Sequence, residues 1–163
     1  MTVRFDPVRG SDADALARLA RNFHAEDGHQ LTDAGEAALR QVAQGEPLAR
    51  AWLVREHDAV LGYLIITLGY SIEYGGRDGF IDDLYLVPAA RGRGLGRMLL
   101  DFALAQARGL GIGTLHLEVE RGNDAAVQLY RTAGFSDTGR RLMRLRLTGS
   151  ELPCAQPCGE ASS

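Results

Sequence analysis

Arg91-Gly92-Arg93-Gly94-Leu95-Gly96 sets three glycines and two guanidinium groups directly before an amphipathic run, and Arg97 follows within it. The first N–H groups of a helix have no partners inside the helix, and its dipole favours negative charge there. Glycine lets an anion come close to the backbone, with no Cβ in the way. Arginine adds donors matched to phosphate oxygens. The chemistry on offer is therefore phosphate binding. A P-loop is excluded, because it needs a lysine and all 18 basic residues are arginine. A Rossmann fingerprint fails as well, because after Gly92 and Gly94 its third glycine position is Arg97. Taken alone, the run also fits a glycine-rich turn with solvated arginines.

Asp82 and Asp83 form the second feature. They interrupt an otherwise apolar strand, Phe80-Ile81-…-Leu84-Tyr85-Leu86-Val87. Charge at such a place is costly unless it faces a cleft or a partner. Strand alternation sends the two carboxylates to opposite faces, so at most one meets an acceptor directly.

The elements that must position these residues follow from periodicity. Residues 3–8 read as a strand. Ser11 is the expected cap of a first helix, with Leu16, Leu19, Ala20 and Phe23 facing inward. Residues 24–29 read as a polar loop, and Thr32 or Asp33 starts a second helix running to about Gln44. Two strands, 51–56 and 60–68, form a hairpin across His57-Asp58. Gly75-Gly76-Arg77-Asp78 marks a turn before the strand with the aspartates. Leu95, Met98, Leu99, Phe102 and Ala103 then recur at helical spacing up to about Arg108. Residues 115–119 alternate as a half-buried strand, and Asn123 opens a shorter helix reaching Ala133. A last strand or strand pair is expected between Phe135 and Leu147. The order βααβββαβαβ predicts an α+β, three-layer domain over residues 1–148, with a flexible tail over 149–163.

Composition narrows the function classes. A 45% hydrophobic, 24% charged chain of 163 residues has the make-up of one ordinary globular domain. A net charge of -3 argues against a general nucleic-acid binder. No apolar run reaches the roughly 20 residues of a membrane helix, and the first residues lack a secretory core, so the cytoplasm is the expected compartment. Cys154 and Cys158 lack the further ligands of a closed zinc site and read as inert thiols, so no metal is expected.

Read as R-x-x-G-x-G (Arg91, Gly94, Gly96), the glycine run resembles the acyl-CoA signature of the GNAT superfamily of N-acetyltransferases. The strand before it matches too, as do Leu117-Glu118-Val119, Asn123, Ala126, Tyr130 and Gly134-Phe135 after it. The resemblance implies a mostly antiparallel sheet flanked by helices, with two strands splayed around acetyl-CoA. It implies pantetheine alongside Leu86 and Val87, pyrophosphate on the backbone from Arg91 through Gly92, Arg93, Gly94, Leu95 and Gly96 to Arg97, and cofactor contacts from Asn123 and Ala126. Tyr130 takes the place of the family's proton donor to the leaving thiolate, and otherwise reads as a packing tyrosine. Asp82 and Asp83 are the leading candidates for the base, a position where polyamine-type members carry an acidic pair. Other members use ordered water. Glu118 is a weaker candidate for the base and otherwise an exposed strand acid on the acceptor side; Glu26, Asp27, Glu73 and Tyr74 sit in segments that line the acceptor mouth in relatives. Together they suit a small cationic amine, and they fit a solvated acidic surface as well. A protein amine, a non-catalytic acyl-CoA sensor and a homodimer through the last strands stay open as alternatives.

Overall fold

The computed structural model describes residues 2–147. Five strands form one sheet in the order β1-β2-β3-β4-β5: β1 (Val3–Pro7), β2 (Ala49–Glu56), β3 (Ala59–Ser71), β4 (Gly76–Leu86) and β5 (Thr114–Leu117). The first four pair antiparallel, and β4 pairs with β5 in parallel. Helices α1 (Ala13–Glu26) and α2 (Asp33–Ala43) cover one face, and α3 (Leu95–Gly109) covers the other. A fourth helix, α4 (Asp124–Thr132), follows β5. None of the described helices is long and apolar enough to cross a membrane.

The two faces of the sheet bury separate cores. Trp52, Val54, Leu64, Ile66, Ile81 and Leu86 pack against Leu95, Leu99, Leu100 and Ala103 of α3. On the other face, Leu53, Tyr63, Ile65 and Tyr85 pack against Leu16, Leu19 and Ala20 of α1 and Leu39 of α2. Period-2 alternation along the strands makes this division.

Several expectations need correcting. The first α-helix is preceded by a 3-10 turn, Gly10–Asp12, so Ser11 is not its cap; the Asp12 carboxylate instead accepts the Arg9 N–H at 3.0 Å. Helix α1 runs on through His24, Ala25 and Glu26, where the polar sequence predicts a loop. Strand β4 already begins at Gly76, so the turn sits before it. No strand forms over residues 136–147. The neighbouring strand β5 is only four residues long, so little ladder is available to extend. In this stretch Leu142, Met143, Leu145 and Leu147 are exposed, without a layer to cover them. Thr32 does cap α2, accepting the Gly35 N–H at 3.1 Å. The tail with Cys154 and Cys158 lies outside the described residues.

Candidate active site

The gap between β4 and β5 begins at a one-residue irregularity. Their ladder runs from Asp78↔Thr114 to Ile81↔Leu117 and goes no further, while β4 continues along β3 to Leu86. On the β3 side, Ile66 pairs with Ile81 and Ile65 with Asp83, so Asp82 is the extra residue of a bulge. A bulge bends and twists its strand, and the parting from β5 starts there. Successive N–H groups of a strand point to opposite sides. Since the Val87 N–H bonds to the Leu61 carbonyl at 2.8 Å, the Leu86 N–H is turned toward the gap. Of the two backbone positions expected to meet pantetheine, Leu86 is thus the one that offers a donor.

The glycine run closes the far end of this gap. Gly92 and Gly94 take left-handed conformations, with φ of 71° and 78°, and a Cβ at either would meet nothing within 4 Å. The approach to the backbone is open. The first helical bond here joins the Met98 N–H to the Gly94 carbonyl at 3.2 Å, which leaves the Leu95, Gly96 and Arg97 N–H groups ahead of it. Such a cradle fits a pyrophosphate. The guanidinium groups are engaged with carboxylates: Arg93 with Glu56 at 2.7 Å, Arg97 with Asp101 at 2.9 Å, and Arg91 with Glu26. A Cβ at Gly96 would lie 3.6 Å from Leu129, so α4 packs close to the first turn of α3 and brings the adjacent Tyr130 with it.

Gly94→Ala is expected to weaken CoA binding about tenfold, because it strains a left-handed residue and puts a methyl group on the phosphate side. Gly96→Ala, at ordinary contact distance, is expected to shift it less than threefold. Calorimetric titration with CoA separates the two, and equal dissociation constants in both variants would contradict the placement of the cradle.

The two aspartates have different surroundings. Tyr63, fully buried, donates its hydroxyl to Asp83 at 2.8 Å. Burial, reinforced by the charge of Asp82, pushes the Asp83 carboxyl up to about 6, against the pull of the Tyr63 bond. Burial also pushes the Tyr63 phenol far up. Asp82 keeps open surface and lines a cleft of about 130 Å³ with Phe80, Ile81 and Glu118. Crowding by protein still raises its carboxyl, opposed by the charge of His24. Ile81 packs in the core under α3 while Asp83, two residues on, meets Tyr63 of the core under α1, so the bulge at Asp82 breaks the strict alternation from which opposite faces were expected.

The other expected acceptor residues are placed less uniformly. Burial works to raise the Glu26 carboxyl, but bonds from Tyr85 (2.6 Å) and Arg91 hold it below the usual range. Arg91 also donates to the Leu86 carbonyl at 2.9 Å and lies 5.5 Å from the Tyr85 ring centre. Glu26 therefore ties α1 to the glycine run and the end of β4. Asp27 ends α1, and its charge bears on Asp83. Glu73 forms a paired bond with Arg140 at 2.7 and 2.8 Å, which lowers its carboxyl. Tyr74 lies against His116, their rings 5.1 Å apart.

Asn123 caps α4 by accepting the Ala126 N–H at 3.2 Å, so these two expected cofactor contacts are bonded to each other. Tyr130 is half-buried, edge-on to Phe135 at 5.9 Å, and burial raises its phenol. It therefore keeps its proton at neutral pH, as a donor must. Tyr63 and Tyr85, the partners of Asp83 and Glu26, escaped the sequence reading because inward-facing strand tyrosines look like packing. The polar residues opposite them in the folded chain are the only signal.

The sequence model of the acetyltransferase (GNAT) family matches residues 15–135. The chain is 32% identical over 142 residues to the peptidyl-lysine N-acetyltransferase YjaB of Salmonella typhimurium, covering 86% of this chain and 88% of that one. It is 44% identical over 137 residues to a mycothiol acetyltransferase of Thermobispora bispora, covering 81% of this chain and 45% of that one. The chain thus spans less than half the length of that relative, and the match to the N-alpha-acetyltransferase RimI of Mycobacterium tuberculosis takes in 39% of each protein. An integron cassette protein from the mobile metagenome of Cole Harbour Salt Marsh superposes with a TM-score of 0.77 at 35% identity, over 90% of this chain and 91% of that one. A matched sequence model over most of the chain, a shared fold, and a glycine run at a helix start beside parted strands agree: the chain belongs to the GNAT family of acetyltransferases.

Proposed function

We propose that this chain transfers the acetyl group of acetyl-CoA to a primary amine, with a small cationic amine as the acceptor. The observation that carries the reading is the parting of β4 from β5 at Asp82, with the open glycine cradle at one end and the acid-lined cleft of Asp82 and Glu118 at the other. Backbone N–H groups of residues 92–97 hold the pyrophosphate, since the Arg91 N–H is taken by the Pro88 carbonyl at 3.1 Å, and Asn123 and Ala126 border it from α4. The bound thioester supplies an activated acetyl carbon. The Leu86 N–H faces the acetyl oxygen, where negative charge builds as nitrogen attacks.

An amine near pKa 10 enters as its ammonium. Asp82, Glu118 and Asp83 attract it, and Asp82 takes one proton, which passes to water. The free nitrogen bonds to the acetyl carbon while the carbon–sulfur bond breaks. Tyr130 gives its proton to the leaving sulfur, and the second proton lost by nitrogen replaces it. The products are the amide and free CoA. The likeness to a peptidyl-lysine acetyltransferase favours a protein lysine as the second reading of the acceptor. The cytoplasm is the compartment proposed for this reaction. The exposed Leu142, Met143, Leu145 and Leu147 support a homodimer, which light scattering reads directly.

The pH dependence tests the base. The Asp83 carboxyl, at about 6, gains a proton as pH falls through that range, and the raised carboxyl of Asp82 gains one sooner than an ordinary aspartate would, so activity is lost toward acid. Asp82→Asn is expected to slow turnover at least tenfold at pH 7 and to recover much of it by pH 9, where more of the amine enters unprotonated. An unchanged pH–rate profile in both Asp82→Asn and Asp83→Asn would point to water as the base.

A further inference from the structure

The cleft that holds Asp82 has an aromatic side that acetyl transfer itself does not use. Phe80 lines it together with Ile81, Asp82 and Glu118. Phe80 stands opposite His116 in the β4–β5 ladder, and their rings lie 4.9 Å apart. Tyr74, from the turn before β4, lies on the same imidazole at 5.1 Å and stays 39% exposed. Asp78 approaches His116 Nε2 at 3.4 Å, on the imidazole that both rings contact. Gly69 carries no side chain over Asp78, since a Cβ there would come within 2.6 Å of its carboxylate. Alternation places Asp78, Phe80 and His116 on the face that α1 and α2 cover elsewhere. Both Phe80 and His116 remain only half-buried there.

Resting on the acetyl-transfer reading, we propose that this chain selects primary amines carrying a flat aromatic ring within a few bonds of the nitrogen. The ammonium meets Asp82 and Glu118, and the ring lies along Phe80 and Tyr74. Charge complementarity fixes one end of such a molecule and aromatic contact the other. A plain alkyl amine or diamine satisfies the acids and leaves the open sides of the two rings, away from His116, uncovered. Phe80 and Tyr74 are then specificity-determining residues, and the Asp78–His116 pair holds them in position.

The test compares kcat/KM for 2-phenylethylamine, n-butylamine and 1,4-diaminobutane at saturating acetyl-CoA, following free thiol. The expected preference for 2-phenylethylamine is about tenfold, the size of one good aromatic contact. In Phe80→Leu, which keeps an apolar side chain of similar bulk, and in Tyr74→Ala, the ratio between aryl and alkyl amines should fall toward one, chiefly through KM. Equal kcat/KM for the three amines, or a preference that survives both substitutions, overturns this inference and leaves acetyl transfer standing. Release of thiol with none of them, nor with a lysine peptide, at any concentration, overturns both.

Discussion

Tyr130→Phe should lower kcat by about two orders of magnitude and leave the affinity for CoA within about twofold. Loss of a positioned proton donor typically costs 10²–10⁴ in rate. The substitution removes one oxygen from a half-buried ring whose packing, edge-on to Phe135, stays intact. Burial raises the phenol above its ordinary value, so the wild-type hydroxyl remains protonated through the neutral range and can serve the leaving sulfur. The defect should therefore lie in kcat and shrink for an acyl donor whose leaving thiol is more acidic. Equal kcat in the two proteins would reduce Tyr130 to a packing residue.

Gly62→Ala should lower the midpoint of thermal unfolding by about 10 °C and abolish acetyl transfer even where the variant is folded. Gly62 lies opposite Leu86 in the β3–β4 ladder. A Cβ there would stand 2.1 Å from the Tyr85 carbonyl oxygen and 3.1 Å from the Leu86 Cα, both backbone atoms that no rotamer change can move. Relieving the clash displaces the end of β4. Overpacking of this kind costs about 3 kcal/mol or more, and each kcal/mol moves the midpoint by roughly 2–4 °C in a domain of this size. The displaced segment carries the Leu86 N–H that faces the gap and the carbonyl that Arg91 holds at 2.9 Å. A midpoint within about 2 °C of wild type, measured by calorimetry, would contradict the close approach at this point.

Glycine and helical period made much of this site legible in the sequence. The spacing of Leu95, Met98, Leu99, Phe102 and Ala103 located α3, and the glycines before it located the open left-handed turn proposed as the anion cradle. Both signals are local, set by backbone conformation and by one amphipathic face. The bulge at Asp82 was not legible. A one-residue slip changes which face every later side chain takes, yet leaves the apolar and polar letters unaltered. Strict alternation puts residues 81 and 83 on one face, whereas in the folded strand Ile81 packs under α3 and Asp83 meets Tyr63 on the other side.

The same limit applies to Glu26. Its residue type suited an acceptor mouth, but its partners Tyr85 and Arg91 stand 59 and 65 positions away. Residues 136–147 misled in the opposite direction. Arginine alternating with leucine satisfies the strand pattern, but a strand also needs an edge to extend, and β5 offers four residues. Gly62 carried a usable signal, because glycine inside a β-rich run often marks a close backbone approach.

Free-thiol release on mixing the purified chain with acetyl-CoA and a primary amine tests acetyl transfer most directly. The expected result is a rate that rises and saturates with amine, with one thiol formed for each acetylated amine found by mass spectrometry. A chain that binds CoA in a calorimeter but releases thiol no faster with 2-phenylethylamine, butylamine, diaminobutane or a lysine peptide than without them would be a binding module, and the proposed reaction would be wrong.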